Sequence, residues 1–137
     1  MALNFAGVTN AGSDQNNEII IRGNSPKGLL WRMEGIEIPN PNHFGDGQGS
    51  TSGIISMINS TSLANSDFMS GAFPAEYGNA SSGVFDLSLR RGNNLQREWM
   101  ATLSVVGLDV ASEGPIGQKG ASYRLGFRYS TLEILLK

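Results

Sequence analysis

The sequence predicts an α+β fold, in which a small mixed sheet with one or two short helices is followed by a long β-hairpin. Short β-branched or aromatic runs alternate with turns, and the 137 residues include 18 glycines. One stretch, Ser52–Leu63, has apolar residues at helical spacing. From Glu98 to Thr131, apolar and polar residues alternate over two long segments. This length suits one domain of ordinary size with a short appendage.

Composition excludes several classes of function. The net charge of −2 gives no electrostatic basis for binding nucleic acid. The absence of cysteine excludes disulfides, thiolate metal sites and cysteine nucleophiles, and a single histidine, His43, excludes sites with two histidine ligands. No apolar run approaches the roughly 18 residues that a membrane helix needs. We therefore expect no enzyme, no cofactor and no metal site.

The first third of the chain predicts short strands. We expect residues 1–17 to be a flexible lead-in, because they are polar and rich in Gly and Asn. Glu18–Gly23 is a β-branched run that suits a strand covered on both faces. A turn follows at Asn24–Gly28. Leu29–Ile38 alternates and predicts one strand, in which Gly35 marks a bulge or tight bend.

A proline-containing turn and a loop lead to the predicted helix. Pro39–Asn42 ends the second strand, since proline cannot donate a ladder hydrogen bond, and His43–Gly53 predicts a loop. The Gly-rich end of this loop lacks the Gly-Lys-Ser/Thr of a phosphate-binding loop. Ser52–Leu63 then predicts a short helix with an apolar stripe and a serine or threonine cap.

The second half of the chain predicts two more strands and then the hairpin. Phe68–Phe73 and Val84–Leu89 are joined by a small-residue linker. Within that linker, Glu76 is expected to form a local hydrogen bond beside Tyr77. The hairpin over Glu98–Thr131 places its turn at Glu113–Gly120. Its alternation of aromatic and aliphatic with charged or small residues is typical of a membrane β-barrel strand, but also of an ordinary half-buried strand.

Four motifs follow one another in a recognisable order: Ile19–Gly23, Leu29–Pro39, Asp67–Phe73 and Tyr77–Leu87, with the helix candidate after the second. Together they resemble the plug domain of TonB-dependent outer-membrane receptors. In three respects the chain departs from that pattern. Ser70–Pro74 stands where the family often has Arg-Gly-Pro, no TonB box is recognisable in residues 1–17, and most of the barrel is missing.

The resemblance implies a lead-in at residues 1–17, a plug domain at 18–94, and the first two strands of a barrel of about 22 strands at 95–137. It implies a parent protein in the outer membrane that works with TonB and takes up a nutrient such as a siderophore, cobalamin, glycan or peptide. The plug would fill its own barrel, and the chain alone would not be competent for transport.

The resemblance also implies site residues. Two loops would face outward and contact the ligand, through Asn24, Ser25, Lys27, Asn40, Asn42, His43 and Phe44; the alternative is that they are simply turns. Arg22 resembles the family arginine that pairs with barrel glutamates.

A second class of function stays open at this point. The chain could be a β-rich binding or adhesion module of a secreted or cell-surface protein, whose exposed aromatic strands meet a partner. In either case we expect residues 95–131 to disorder, fold back on the plug sheet or pair with another copy, because isolated strands have unpaired edges.

Overall fold

The computed structural model describes residues 4–10, 19–43, 55–104, 107–117 and 120–130. The chain divides into two compact units, Met1–Leu89 and Arg90–Lys137. The boundary lies close to Asn94, where the sequence analysis places it. The described residues form eleven strands, and their helical segments are 3₁₀ turns of three residues. The fold is therefore sheet-rich and compatible with a small α+β or mostly β architecture.

Three sheets make up the described part of the first unit. Two of them are pairs of short antiparallel strands: β1 (Val8–Asn10) with β2 (Ile19–Ile21), and β5 (Asn42–His43) with β6 (Ile55–Ser56). The third is the main sheet, with strand order β4-β3-β8-β7. Its strands are β3 (Leu29–Met33), β4 (Ile36–Ile38), β7 (Asp67–Met69) and β8 (Gly83–Leu87).

The core of the first unit lies against one face of this main sheet. β3 and β8 run parallel and place Leu30 beside Val84, which is fully buried. Tyr77 completes the buried cluster, and Met69, Phe73 and Ala80 pack against it. Parallel strands of this kind are covered on both faces.

Aromatic rings cover the opposite face of the main sheet. Trp31 stacks on Phe85 with ring centres 4.5 Å apart, and Phe85 contacts Phe68 at 4.6 Å. Phe5 lies 5.3 Å from Phe68. The rings of neighbouring strands meet because the register pairs Trp31 with Phe85 and Phe85 with Phe68. Aromatic cross-strand pairs add to the stability of such a sheet.

The prediction of a flexible lead-in is wrong for residues 8–10. They form β1, and Val8 is buried. The Arg22 N–H also donates to the Gly7 carbonyl at 2.7 Å. Apolar Val8 and β-branched Thr9 favour a strand that pairs with the edge of β2. The polar residues around them do not prevent this strand from forming.

The prediction of one strand over Leu29–Ile38 is also wrong, because the chain reverses in the middle. Glu34 and Gly35 have φ of 51° and 80°, which forms a two-residue hairpin turn between β3 and β4. The Glu34 N–H donates to the Leu87 carbonyl, and its carboxylate accepts from the Leu89 N–H at 2.6 Å. The expected tight bend at Gly35 is confirmed.

The predicted helix at Ser52–Leu63 is wrong over its described part, and residues 52–54 lie outside the described residues. Ile55–Ser56 is a strand, and Ser60–Ser62 is a 3₁₀ turn. The Ser56 hydroxyl accepts from the Ile58 N–H at 3.1 Å, and the Asn59 amide oxygen accepts from the Thr61 N–H at 3.0 Å. Such short polar side chains bind nearby N–H groups and so compete with a helix.

The second unit is a three-stranded antiparallel sheet, and the prediction of two strands is wrong. Its strands are β9 (Glu98–Ser104), β10 (Gly107–Ile116) and β11 (Ala121–Ser130), with β10 in the centre. The predicted turn at Glu113–Gly120 is strand up to Ile116. Pro115 fits in β10 because pairing with β9 ends at Glu113, which leaves β10 a neighbour only on the β11 side.

Candidate functional site

The predicted ligand loops are built on tight turns. Asn24, Ser25 and Lys27 are exposed, and the Ser25 hydroxyl accepts from the Lys27 N–H at 3.3 Å. In the second loop, the Asn40 side chain accepts from the Asn42 N–H at 3.0 Å. Each of these hydrogen bonds spans two residues within its own loop. These bonds give both loops a defined backbone conformation. A simple turn that binds no ligand would have the same kind of hydrogen bond.

Two further residues of this prediction lie at the edge of the second loop. The backbones of Asn42 and His43 form β5, so the predicted turn at Pro39–Asn42 and the predicted loop at His43–Gly53 are wrong at these two residues. Phe44 lies outside the described residues. Ligand contact by either loop stays a prediction.

Arg22 is exposed on a second two-residue turn. Arg22 and Gly23 have φ of 51° and 75°, and the Asn24 N–H donates to the Ile21 carbonyl at 2.9 Å. The guanidinium lies over Gly71, where an added methyl group would be 3.1 Å from Nη1. Its pairing with a barrel glutamate stays a prediction.

A cluster of polar side chains that the sequence analysis missed lies beside the core of the first unit; we call Arg32, Glu76, Tyr77 and Asp86 the Arg32 cluster. Arg32 Nη1 lies 3.2 Å from Glu76 Oε2 and 4.0 Å from Asp86 Oδ2. The Tyr77 hydroxyl donates to Asp86 Oδ2 at 2.8 Å. The Arg32 guanidinium lies 5.0 Å from the centre of the Tyr77 ring.

The Arg32 cluster fastens a turn to the sheet. The parallel register pairs Arg32 with Asp86, and the 3₁₀ turn Ala75–Tyr77 supplies the other two side chains. The predicted local hydrogen bond of Glu76 is wrong, since its carboxylate accepts from Arg32 on β3, while the Tyr77 hydroxyl donates to Asp86 on β8. Among the described residues, no group of three or more His, Cys, Asp or Glu side chains could hold a metal ion. The cluster is thus a set of paired charges beside a packed core.

Hydrogen bonding shifts two pKa values in the Arg32 cluster. The bond to Glu76 raises the pKa of Arg32 further above the range in which it could lose a proton. The bond to Asp86, with burial as the second cause, raises the pKa of Tyr77 above its ordinary value of 10.0. Both shifts favour the protonated side chains that hold the cluster together.

We expect Tyr77→Phe to lower stability at neutral pH and to lose this effect in alkali. Because folding raises the pKa of Tyr77, the contribution of its phenol is fully present below about pH 10. That contribution is lost as the pH rises through the raised folded pKa. Urea midpoints of both proteins from pH 7 upward should therefore converge above pH 10. Tyr129→Phe, at a half-exposed site, is the control, and a constant Tyr77→Phe difference across this range contradicts the prediction.

The charged residues within the three strands of the second unit lie on one face of the sheet, which we call the polar face. The register places Glu113 beside Arg124 and Asp109 beside Arg128. Arg124 Nη1 lies 2.5 Å from Glu113 Oε2, and Arg128 Nε lies 2.7 Å from Asp109 Oδ1. Arg90 binds the second oxygen of Glu113. The carboxylate of Glu113 is therefore held between two guanidinium groups.

The segment before β9 approaches this sheet closely. No side chain fits at Gly92, because a Cβ there would overlap the carbonyl group of Tyr123 in β11. Glycine at this position lets the backbone pass near β11, and Arg90 two residues earlier then bonds to Glu113. Close backbone approach is a common structural reason for glycine.

The opposite side of the sheet, the apolar face, consists of exposed aromatic and aliphatic side chains. Where all three strands pair, its large members are between 37% and 82% exposed: Trp99, Leu103, Leu108, Leu125, Phe127 and Tyr129. Ala101 and Val110 lie between them in the same register rows. All five charged residues of the three strands point to the polar face instead.

Comparison with known proteins gives no match. No family model, no curated protein and no solved structure is similar to this chain. In the part of the chain that the structure describes, no helix is long and apolar enough to cross a membrane.

Proposed function

We propose that this chain is the plug region and first barrel strands of a TonB-dependent outer-membrane receptor that takes up a nutrient ligand. The observation that carries the proposal is the division of the three-stranded sheet into an exposed apolar face and an ion-paired polar face. In a membrane barrel the first face contacts lipid and the second faces the interior.

Strand length supports the same proposal. β10 and β11 have ten residues each, and a strand needs about 9–11 residues to cross the hydrocarbon core of a bilayer. Because backbone groups in lipid must be hydrogen-bonded, such strands occur in closed barrels. The second unit would then be the first three strands of a barrel that continues beyond this chain.

The first unit supports the plug assignment through its motifs. The stretch Ile19–Gly23 contains β2 and the Arg22-Gly23 turn, and Glu34-Gly35 forms the hairpin between β3 and β4. The stretch Tyr77–Leu87 brings its tyrosine into the core and ends in β8, parallel to β3. A compact unit built on a small mixed sheet is the kind of structure that could fill a barrel.

In this proposal the loops at Asn24–Lys27 and Asn40–Phe44 contact the nutrient, and Arg22 pairs with barrel glutamates. The chain acts as a gate and has no catalytic residue. Siderophores, cobalamin, glycans and peptides all remain candidates, since the missing barrel loops contribute to selectivity. TonB would engage the complete receptor from the periplasmic side.

Depth-dependent quenching of tryptophan fluorescence tests the membrane assignment. The chain has two tryptophans, so Trp31→Phe leaves Trp99 on the apolar face. In micelles that contain a brominated detergent, we expect strong quenching of Trp99. A matched probe on the polar face of the same strand is Thr102→Trp, combined with Trp31→Phe and Trp99→Phe. It should be quenched weakly.

Equal quenching of both probes, or quenching of neither, would overturn the membrane assignment. The second outcome favours the alternative of a β-rich binding or adhesion module, for which the exposed aromatic residues of the apolar face are the supporting observation. Circular dichroism of each variant shows whether the sheet is intact.

A further inference from the structure

The apolar face of the second unit is large enough to form a protein interface. Its six large side chains expose about 750 Å² of mostly apolar surface, from their exposed fractions and the roughly 200 Å² of such side chains. The largest patch on a typical monomer is about 300–600 Å². Each partner of a standard interface buries about 800 Å². The face therefore has the area of one half of a stable dimer.

The charge distribution favours an identical partner. The five charged residues within the three strands lie on the polar face. Arg97, just before β9, lies beside Gly114 at the end of the apolar face and is exposed. Two apolar faces can therefore meet without burying an unpaired charge at their centre. An interface in which both partners contribute the same patch is the rule for two-fold symmetric dimers. A partner with a charged surface would lose its hydration at this face and gain no ion pair.

The pairing register of the three strands also makes the apolar faces of two copies complementary in shape. Its central row contains Ala101 on β9, Val110 on β10 and Phe127 on β11. A two-fold axis parallel to β10 places β9 of one copy over β11 of the other. The large Phe127 ring then faces the small Ala101, and the two sheets form a six-stranded sandwich with a spacing of about 10 Å.

We propose that, in water without lipid or detergent, two copies of this chain form a symmetric dimer by packing their apolar faces together. Pairing through strand edges would satisfy backbone groups of β9 or β11 but leave the six large side chains in water. Face-to-face packing removes them from water. The inference goes beyond the proposed function and does not depend on it.

Sedimentation equilibrium over a range of concentrations tests the association. We expect a reversible dimer, and we expect Phe127→Lys or Leu103→Lys to raise its dissociation constant at least about tenfold, because each buries a charge at the interface. Thr102→Lys is the matched control, since Thr102 neighbours Leu103 but points to the polar face. It should leave the dimer unchanged. A monomer at all concentrations overturns the proposal.

A distance measurement keeps the test independent of whether these variants fold. The chain has no cysteine, so Thr102→Cys accepts a single spin label on the polar face. In the sandwich the two labels point outward from sheets about 10 Å apart, and we expect a separation beyond about 20 Å. Edge pairing of two β9 strands would bring the labels closer than this and would overturn the face-to-face arrangement.

The micelle experiment separates this inference from the proposed function. A monomer in buffer whose Trp99 is quenched in brominated micelles overturns only the dimer. A dimer in buffer whose Trp99 escapes quenching overturns only the membrane assignment. Where both hold, detergent should dissociate the dimer, since lipid-like chains and the second copy compete for the same face.

Discussion

Val84→Asp is expected to unfold the first unit. Val84 is fully buried in β8 and packs with Leu30 and Tyr77 in the core cluster. A carboxylate at this position would lie within the apolar core cluster, and burying it costs roughly 4 kcal/mol or more. A domain of this size is stabilised by only about 5–15 kcal/mol in total. One substitution can therefore remove most of the stability of the unit.

The two tryptophans make this measurement specific, because Trp31 lies in the first unit and Trp99 in the second. In a Trp99→Phe background, urea unfolding is followed through Trp31 alone. Ile36→Asp is the control: Ile36 is 69% exposed on β4 of the same sheet, and a charge there should change stability by less than about 1 kcal/mol. If the urea transition of Trp31 fluorescence is the same with and without Val84→Asp, this core does not hold the unit together.

Several strands of the first unit could be predicted from the sequence because their signal is local. β-branched and aromatic runs mark β2, β3 and β8 to within a few residues. The hairpin at Glu34 was missed because glutamate seldom occupies the first position of a turn with positive φ. Hydrogen bonds to Leu87, the last residue of β8, and to Leu89 just after it hold the turn in place, and no local pattern contains that information.

The Arg32 cluster illustrates a second limit. Arg32 and Asp86 become neighbours only through the parallel register of β3 and β8, so the sequence near either residue does not predict the pair. A turn that lies far from Arg32 in sequence adds Glu76 and Tyr77. The four residues can be read from the sequence, but only the fold brings them together.

The second unit shows where alternation succeeds and where it fails. The alternation along β9 and β11 correctly divides their residues between two faces, because both contain apolar side chains at every second position. β10 was missed since its apolar positions change from Leu108 and Val110 to Ser112 and Gly114. These small residues interrupt the hydrophobic alternation, although the backbone still pairs with β11 along the whole of β10.

Arg124→Ala is expected to destabilise the second unit by about 2–3 kcal/mol, and Arg90→Ala by less than about 1 kcal/mol. Both guanidinium groups bond to the same carboxylate of Glu113, but their side chains differ in exposure: 9% for Arg124 and 48% for Arg90. Solvent screens the Arg90 pair. Removing Arg124 instead leaves the Glu113 carboxylate with Arg90 as its partner. The Glu113 side chain is only 7% exposed, so water replaces the lost hydrogen bond poorly.

Unfolding at two salt concentrations should separate the effects of Arg90→Ala and Arg124→Ala further. Unfolding is followed through Trp99 in a Trp31→Phe background, at low salt and at 1 M salt, where the screening length is about 3 Å. The Arg90→Ala effect should vanish at high salt, and most of the Arg124→Ala effect should persist, because that pair is shielded from solvent. Equal effects of the two substitutions at low salt would mean that Glu113 is hydrated in solution. The polar face would then be an ordinary water-exposed surface, without the buried ion pair that an enclosed interior requires.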